Sequence, residues 1–177
     1  MKGRFPSLGL LTAVVAVDQV TKWWVARTLD LHEFRSIVDG CLSLSHVENR
    51  GAAFGILSEA GLPYQSAMFS AISIVALVAI ATYAFRLPPE ARLPRLALAL
   101  VLGGAVGNLI DRIRLGHVVD FVHAYWGRHQ WPDFNMADSA ITVGVALLLL
   151  DMLRTPATPA ETKTEMAGAA SPAGRMD

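Results

Sequence analysis

Four stretches of the chain stay apolar for the thickness of a bilayer, and this bounds the fold more tightly than any other feature. They cover residues 5–28, 65–85, 93–113 and 136–153. At roughly 1.5 Å of rise per residue, about 20 residues cross the hydrocarbon core. Hydrophobic residues make up 53% of the 177 and charged residues 17%, against roughly 25% charged in soluble domains. The predicted fold class is a mainly α membrane protein with four transmembrane helices.

Four spans place both termini on one side. Lys2, Arg4, Arg86, Arg92, Arg95 and Arg154 fall on the terminal side, and Arg27, Arg35, Arg50, Arg112, Arg114 and Arg128 on the other. The number of basic residues therefore does not orient the chain. The tight 86–95 loop and the basic N-terminal flank favour a cytoplasmic terminal side. Met1-Lys2-Gly3-Arg4 resembles the charged start of a secretory signal peptide. Asp18, Lys22, Trp23 and Trp24 follow its apolar run where a small-residue cleavage site would stand, so residues 5–28 are expected to be a retained span.

The region of about 29–64 is expected to form a small antiparallel β-sheet cradle outside the membrane. Asp39-Gly40 is a hairpin signal. Residues 42–48, Leu-Ser-Leu-Ser-His-Val-Glu, alternate with the period of a half-buried strand. The apolar Gly51–Leu57 stretch is expected to lie against the bilayer surface. Residues 1–154 form a single membrane domain, and the Pro- and Ala-rich residues 155–177 are expected to be a disordered tail. Zero formal net charge argues against a nucleic-acid partner, which calls for a basic stripe. The single cysteine, Cys41, excludes an intrachain disulfide; it is expected to be a small buried residue in a strand.

Five polar motifs interrupt the apolar runs. They are Asp18-Gln19-Val20-Thr21-Lys22, Asn49-Arg50-Gly51-Ala52-Ala53-Phe54, residues 103–112 (GGAVGNLIDR), Val118-Val119-Asp120-Phe121 and Phe134-Asn135-Met136-Ala137-Asp138. An ionisable group at the centre of a membrane helix costs roughly 2.5–3.5 kcal/mol on insertion scales, so a series of them marks a functional site.

Asp120 lies just past the third span and Asp138 at the start of the fourth. Antiparallel spans with a short link bring both to one membrane face. Two adjacent carboxylates share one proton, and such a pair can activate water and polarise a carbonyl, as aspartic proteases do. The alternative is two interfacial acids capping helix starts. Asn108 and Arg112 share a helical face with Gly104, and Asp111 lies three beyond Asn108. Gly103, Gly104 and Gly107 are expected to allow close helix approach. Arg112 could pair with Asp111, or hold a substrate carbonyl or phosphate. Asp18 and Lys22 form an i,i+4 pair expected to neutralise itself at the interface. Asn49 and Asn135 are turn residues or, for Asn135, an orienter of Asp138. His117, His123 and His129 lie six apart, which a helix would not gather around a metal, so they are expected to be loop residues.

All five motifs, in order and interleaved with four spans from about Val15 to Ser139, resemble the lipoprotein signal peptidase family, also called signal peptidase II. The resemblance implies a bacterial inner-membrane, multi-pass aspartic endopeptidase with cytoplasmic termini, acting as a monomer and near the periplasmic face. It implies a diacylglyceryl-modified prolipoprotein as substrate, cut just before the lipidated cysteine, membrane lipids as partners, and no metal or cofactor. It places Asp120 and Asp138 at the catalytic positions, and Asn49, Asn108, Arg112 and Asn135 in the substrate pocket. Asp18, Lys22 and Asp111 support the site, and the cradle with Gly51 and the stretch after it covers the substrate. A proton- or ion-coupled transporter is the alternative, although the acids gather at one face and no inverted repeat is visible.

Overall fold

A computed structural model describes residues 5–51 and 64–154. Helix α1 (Phe5–Thr28) leads into strands β1 (Phe34–Val38) and β2 (Leu42–Asn49). Helices α2 (Gln65–Arg86) and α3 (Arg92–Leu115) follow. Then come β3 (Val118–Trp126), β4 (His129–Gln130) and α4 (Met136–Arg154). Most of the Gly51–Leu57 stretch and the whole of the 155–177 tail lie outside the described residues.

Among the described residues, α2, α3 and α4 are long and apolar enough to cross a membrane. At 24 residues α1 equals α3 in length, about 36 Å of helix. Its Asp18-Gln19 and Lys22 leave it outside that apolar set. Helix α2 exposes Met68, Ile72, Val75, Val78 and Phe85, an uninterrupted apolar surface of the kind that lipid covers.

Helix α3 is the axis of the bundle, packed by α1, α2 and α4. Its glycines set the spacing. A Cβ on Gly103 would meet Val14 Cβ at 2.9 Å, and one on Gly107 would meet Asp18 Oδ2 at 2.5 Å. One on Gly104 would run into the Ala137 carbonyl of α4. Gly144 returns the favour from α4, since its Cβ would meet Ala97 O at 2.7 Å. These are the small-residue contacts that let membrane helices approach closely.

The sheet differs from the expected cradle. It has four antiparallel strands in the order β1-β2-β3-β4, and half of them come from residues 118–130. The signal was present: Val118 to Trp126 is rich in β-branched and aromatic residues and is bracketed by Gly116 and Gly127. Asp120 thus lies inside a strand, not in a link past the third span. His123 and His129 are strand residues too, and His117 lies just before β3.

The Asp39-Gly40 hairpin is present, with Gly40 at φ 86° in a three-residue loop. Cys41 occupies that loop and is exposed, so it is neither buried nor in a strand. Between Leu44 and Val47, β2 carries one residue more than β3 does between Val122 and Asp120. This bulge turns Ser45 inward, fully buried. Val25 of α1 and Leu29 just after it pack with Phe121, and with Leu44 and Val122, to seat the sheet on the bundle.

Candidate active site

Two helix ends and one strand build the site. Helix α3 stops at Gly116, whose φ of 79° forms a left-handed cap with its N–H on Arg112 O at 3.1 Å. Four residues later β3 presents Asp120. Helix α4 starts with a reciprocal cap. Asn135 Oδ1 accepts from Asp138 N at 3.0 Å, and Asp138 Oδ2 accepts from Asn135 N at 3.2 Å. The capping alternative for Asp138 is therefore realised, and it leaves Oδ1 for another partner.

One residue, Asn135, engages both aspartates. Asn135 Nδ2 donates to Asp120 Oδ1 at 2.6 Å, while its backbone and Oδ1 engage Asp138. Asn135 is fully buried. Asn49, the last residue of β2, donates from Nδ2 to Asp120 Oδ2 at 2.9 Å and accepts from Gly51 N at 2.9 Å through Oδ1. It is both turn residue and orienter. Asn108 donates from Nδ2 to Asp138 Oδ1 at 2.8 Å. Each asparagine amide has its oxygen occupied by a donor, so its NH2 faces a carboxylate.

Beneath this layer lies a buried ionic one. Lys22 Nζ stands 2.9 Å from Asp18 Oδ2, 2.8 Å from Asp111 Oδ2 and 2.8 Å from Asn108 Oδ1. Its side chain is 3% exposed and that of Asp18 0%, so the expected interfacial pair is in fact a core triad. Asp18 Oδ1 accepts from Ala137 N at 2.9 Å, tying α1 to the first turn of α4. Asp111 Oδ2 also accepts from Val119 N at 3.3 Å, tying α3 to β3. Gln19, not singled out from its motif by sequence, closes the network on Asp111 Oδ1 at 2.9 Å and Gly107 O at 3.2 Å. Its position beside Asp18 on the face toward α3 was the available signal.

Arg112 does not pair with Asp111, which Lys22 occupies. Among the described residues its one side-chain hydrogen bond reaches Gly51 O at 3.5 Å. A guanidinium near two carboxylates, with most of its donors open among the described residues, is suited to hold a carbonyl or an anion.

Burial pushes the Asp120 carboxyl from its ordinary 3.8 up to about 7. Hydrogen bonding from Asn49 opposes that rise, the Asp138 charge adds to it, and Asn135 opposes it. The histidines serve other partners. His117 Nε2 lies 3.5 Å from Glu48 Oε1, and burial holds its imidazole below the usual range. His123 Nδ1 lies 3.1 Å from Asp133 Oδ1, which also accepts from Ser45 Oγ at 2.6 Å. Among the described residues no group of three or more His, Cys, Asp or Glu side chains could hold a metal ion.

Residues 10–154 match the family described as Signal peptidase (SPase) II. The chain belongs to the signal peptidase II family. It is 48% identical over 155 residues to the lipoprotein signal peptidase of Geobacter metallireducens, covering 87% of this chain and 94% of that protein. The corresponding protein of Geobacillus kaustophilus is 46% identical, over 81% of this chain and 90% of its own. A solved bacterial membrane enzyme superposes with a TM-score of 0.78 at 31% identity, covering 90% of this chain and 94% of its own. A second does so with a TM-score of 0.74 at 33% identity, over 84% and 93%. Signal peptidase II membership makes the chain a peptidase, and the transporter alternative finds no support among these relatives.

Proposed function

We propose that the chain removes the signal peptide from diacylglyceryl-modified prolipoproteins, cutting before the lipidated cysteine, with Asp120 and Asp138 as its catalytic pair. The relatives' shared designation, lipoprotein signal peptidase, supports the substrate class. The observation that carries the chemistry is the pair's common clamp: one buried residue, Asn135, bonds both carboxyl groups, Asp120 through its side chain and Asp138 through its backbone N–H.

In this reading Asp120, kept protonated by burial up to about 7, donates its proton to the scissile carbonyl oxygen. Asp138 takes a proton from the attacking water, with Asn108 Nδ2 and the Asn135 N–H fixing its two oxygens. The proton gained by Asp138 then passes to the leaving amine as the C–N bond breaks, and one hydroxyl of the diol intermediate returns its proton to Asp120. Arg112 holds a substrate carbonyl beside the pair, and Asn49 aligns Asp120. All four helices span the bacterial inner membrane, α1 included, because its polar motif points into α3 and not to lipid. Both termini are then cytoplasmic, and the pair opens near the periplasmic face as a monomer. The chemistry calls on no metal or cofactor.

The test is cleavage of a lipidated precursor peptide by the detergent-solubilised protein. Wild type should release the signal peptide, and Asp120→Asn and Asp138→Asn should not. Turnover retained by either variant refutes the pair.

A further inference from the structure

At the end of the bundle remote from the aspartates, α1 and α2 both pack on α3 but barely meet each other. The gap between them is a groove of about 530 Å³, within the ~300–1,000 Å³ range of ligand pockets. Leu11 of α1, Leu77 and Ala81 of α2, and Leu102 of α3 represent its aliphatic wall. On α3 the lining residues Arg95, Ala99, Leu102 and Val106 fall 4, 3 and 4 apart, so they form one stripe along the helix.

Among the described residues Arg95 is the one charged residue of the lining, and it sits at the end where α1 and α3 both begin. Among the described residues its side chain makes no hydrogen bond or ion pair. Arg86 and Arg92 flank it in sequence against one acid, Glu90. Two helix N-termini add positive potential at the same end. Basic pockets between membrane helices recognise anionic headgroups. An aliphatic slot that runs along a helix into the membrane interior, with a guanidinium unpaired among the described residues at its mouth, matches a phospholipid and not a soluble anion.

We propose that this groove holds one anionic phospholipid of the leaflet at the terminal face, with an acyl chain along α3 and its phosphate on Arg95. The lipid fills the space that α1 and α2 leave open and braces the bundle from the side opposite the catalytic pair. A basic signal-peptide start would meet repulsion from Arg95 here, which disfavours the substrate's leader as occupant.

The test uses the full chain, purified in detergent and delipidated, with phosphatidylglycerol or phosphatidylcholine of identical acyl chains added back. Native mass spectrometry reads the lipid retained, and thermal unfolding reads its effect. Wild type should retain one phosphatidylglycerol with a preference of about fivefold, the contribution of one arginine near an anionic headgroup. Arg95→Gln should remove the preference without changing the lipid-free melting temperature. Ala81→Phe, which narrows the slot, should lower retention of both lipids. Equal retention of the two lipids by wild type, or a preference that survives Arg95→Gln, overturns the proposal. Undiminished retention in Ala81→Phe together with a raised KM for the lipidated precursor overturns it too, and assigns the groove to the leader peptide.

Discussion

Lys22 Nζ and Asn108 Oδ1 stand 2.8 Å apart, and that contact decides which way the Asn108 amide faces. With its oxygen on the ammonium, its NH2 can only point at Asp138, where it donates at 2.8 Å. A buried lysine on α1 thereby positions a carboxylate on α4 through a side chain on α3.

Lys22→Met should therefore lose both stability and turnover. It strips the counterion from Asp18 and Asp111, two buried carboxylates, and breaking such a group costs about 3–5 kcal/mol. Urea or thermal unfolding in detergent should show the loss, and the folded fraction should turn over more slowly at unchanged KM. Unchanged stability would mean the triad is not closed as described.

Arg112→Ala should behave in the opposite way. Its 3.5 Å bond to Gly51 O contributes little to the fold, so the melting temperature should hold. Turnover should fall on the order of 10²-fold, the scale of losing a positioned donor in a reaction site. Wild-type turnover in Arg112→Ala would remove Arg112 from the substrate pocket.

Activity should fall as pH rises through about 7, where Asp120 gives up its proton. Below that point Asp120 keeps the proton it donates in the reaction. Stability follows the same window. The native state binds a proton on Asp120 that the unfolded chain, with an ordinary carboxylate value of 3.8, releases earlier. Stability from this group is thus complete below about 4 and declines until about 7. Asn49→Leu removes a bond that favours the ionised form, so the alkaline limb should move upward. A pH–rate profile in both proteins checks the limb and its direction.

Gly107→Ala should destabilise by about 1–3 kcal/mol. Its Cβ would meet Asp18 Oδ2 at 2.5 Å and Asp18 Cγ at 3.1 Å, driving Asp18 from Ala137 N. Thermal unfolding reads the cost. A neutral outcome would show that α1 and α3 can separate freely at this level.

Chelators should leave turnover unchanged. His117, His123 and His129 do not share a site: His117 faces Glu48 and His123 faces Asp133. Loss of activity in EDTA with recovery on zinc would reopen a metal role for them.

The helices are legible along the chain, because length and apolarity decide what hydrocarbon accepts. The four apolar runs are α1 to α4 within two residues at each end. The sequence also placed the polar residues, since each ionisable group among apolar neighbours needs a reason to be there. The strand at Val118–Trp126 was hidden because a short apolar run beside a long helix reads equally as interfacial loop. Partnership between side chains came from the packing of the elements. Spacing along one chain pairs Lys22 with Asp18, but Asp111 and Asn108 come from 89 and 86 residues away. Likewise nothing local says that Asn135 serves Asp120 as well as its own helix cap. Side-chain hydrogen bonds act over about 3 Å, and which groups come that close depends on how the glycine-lined helices pack.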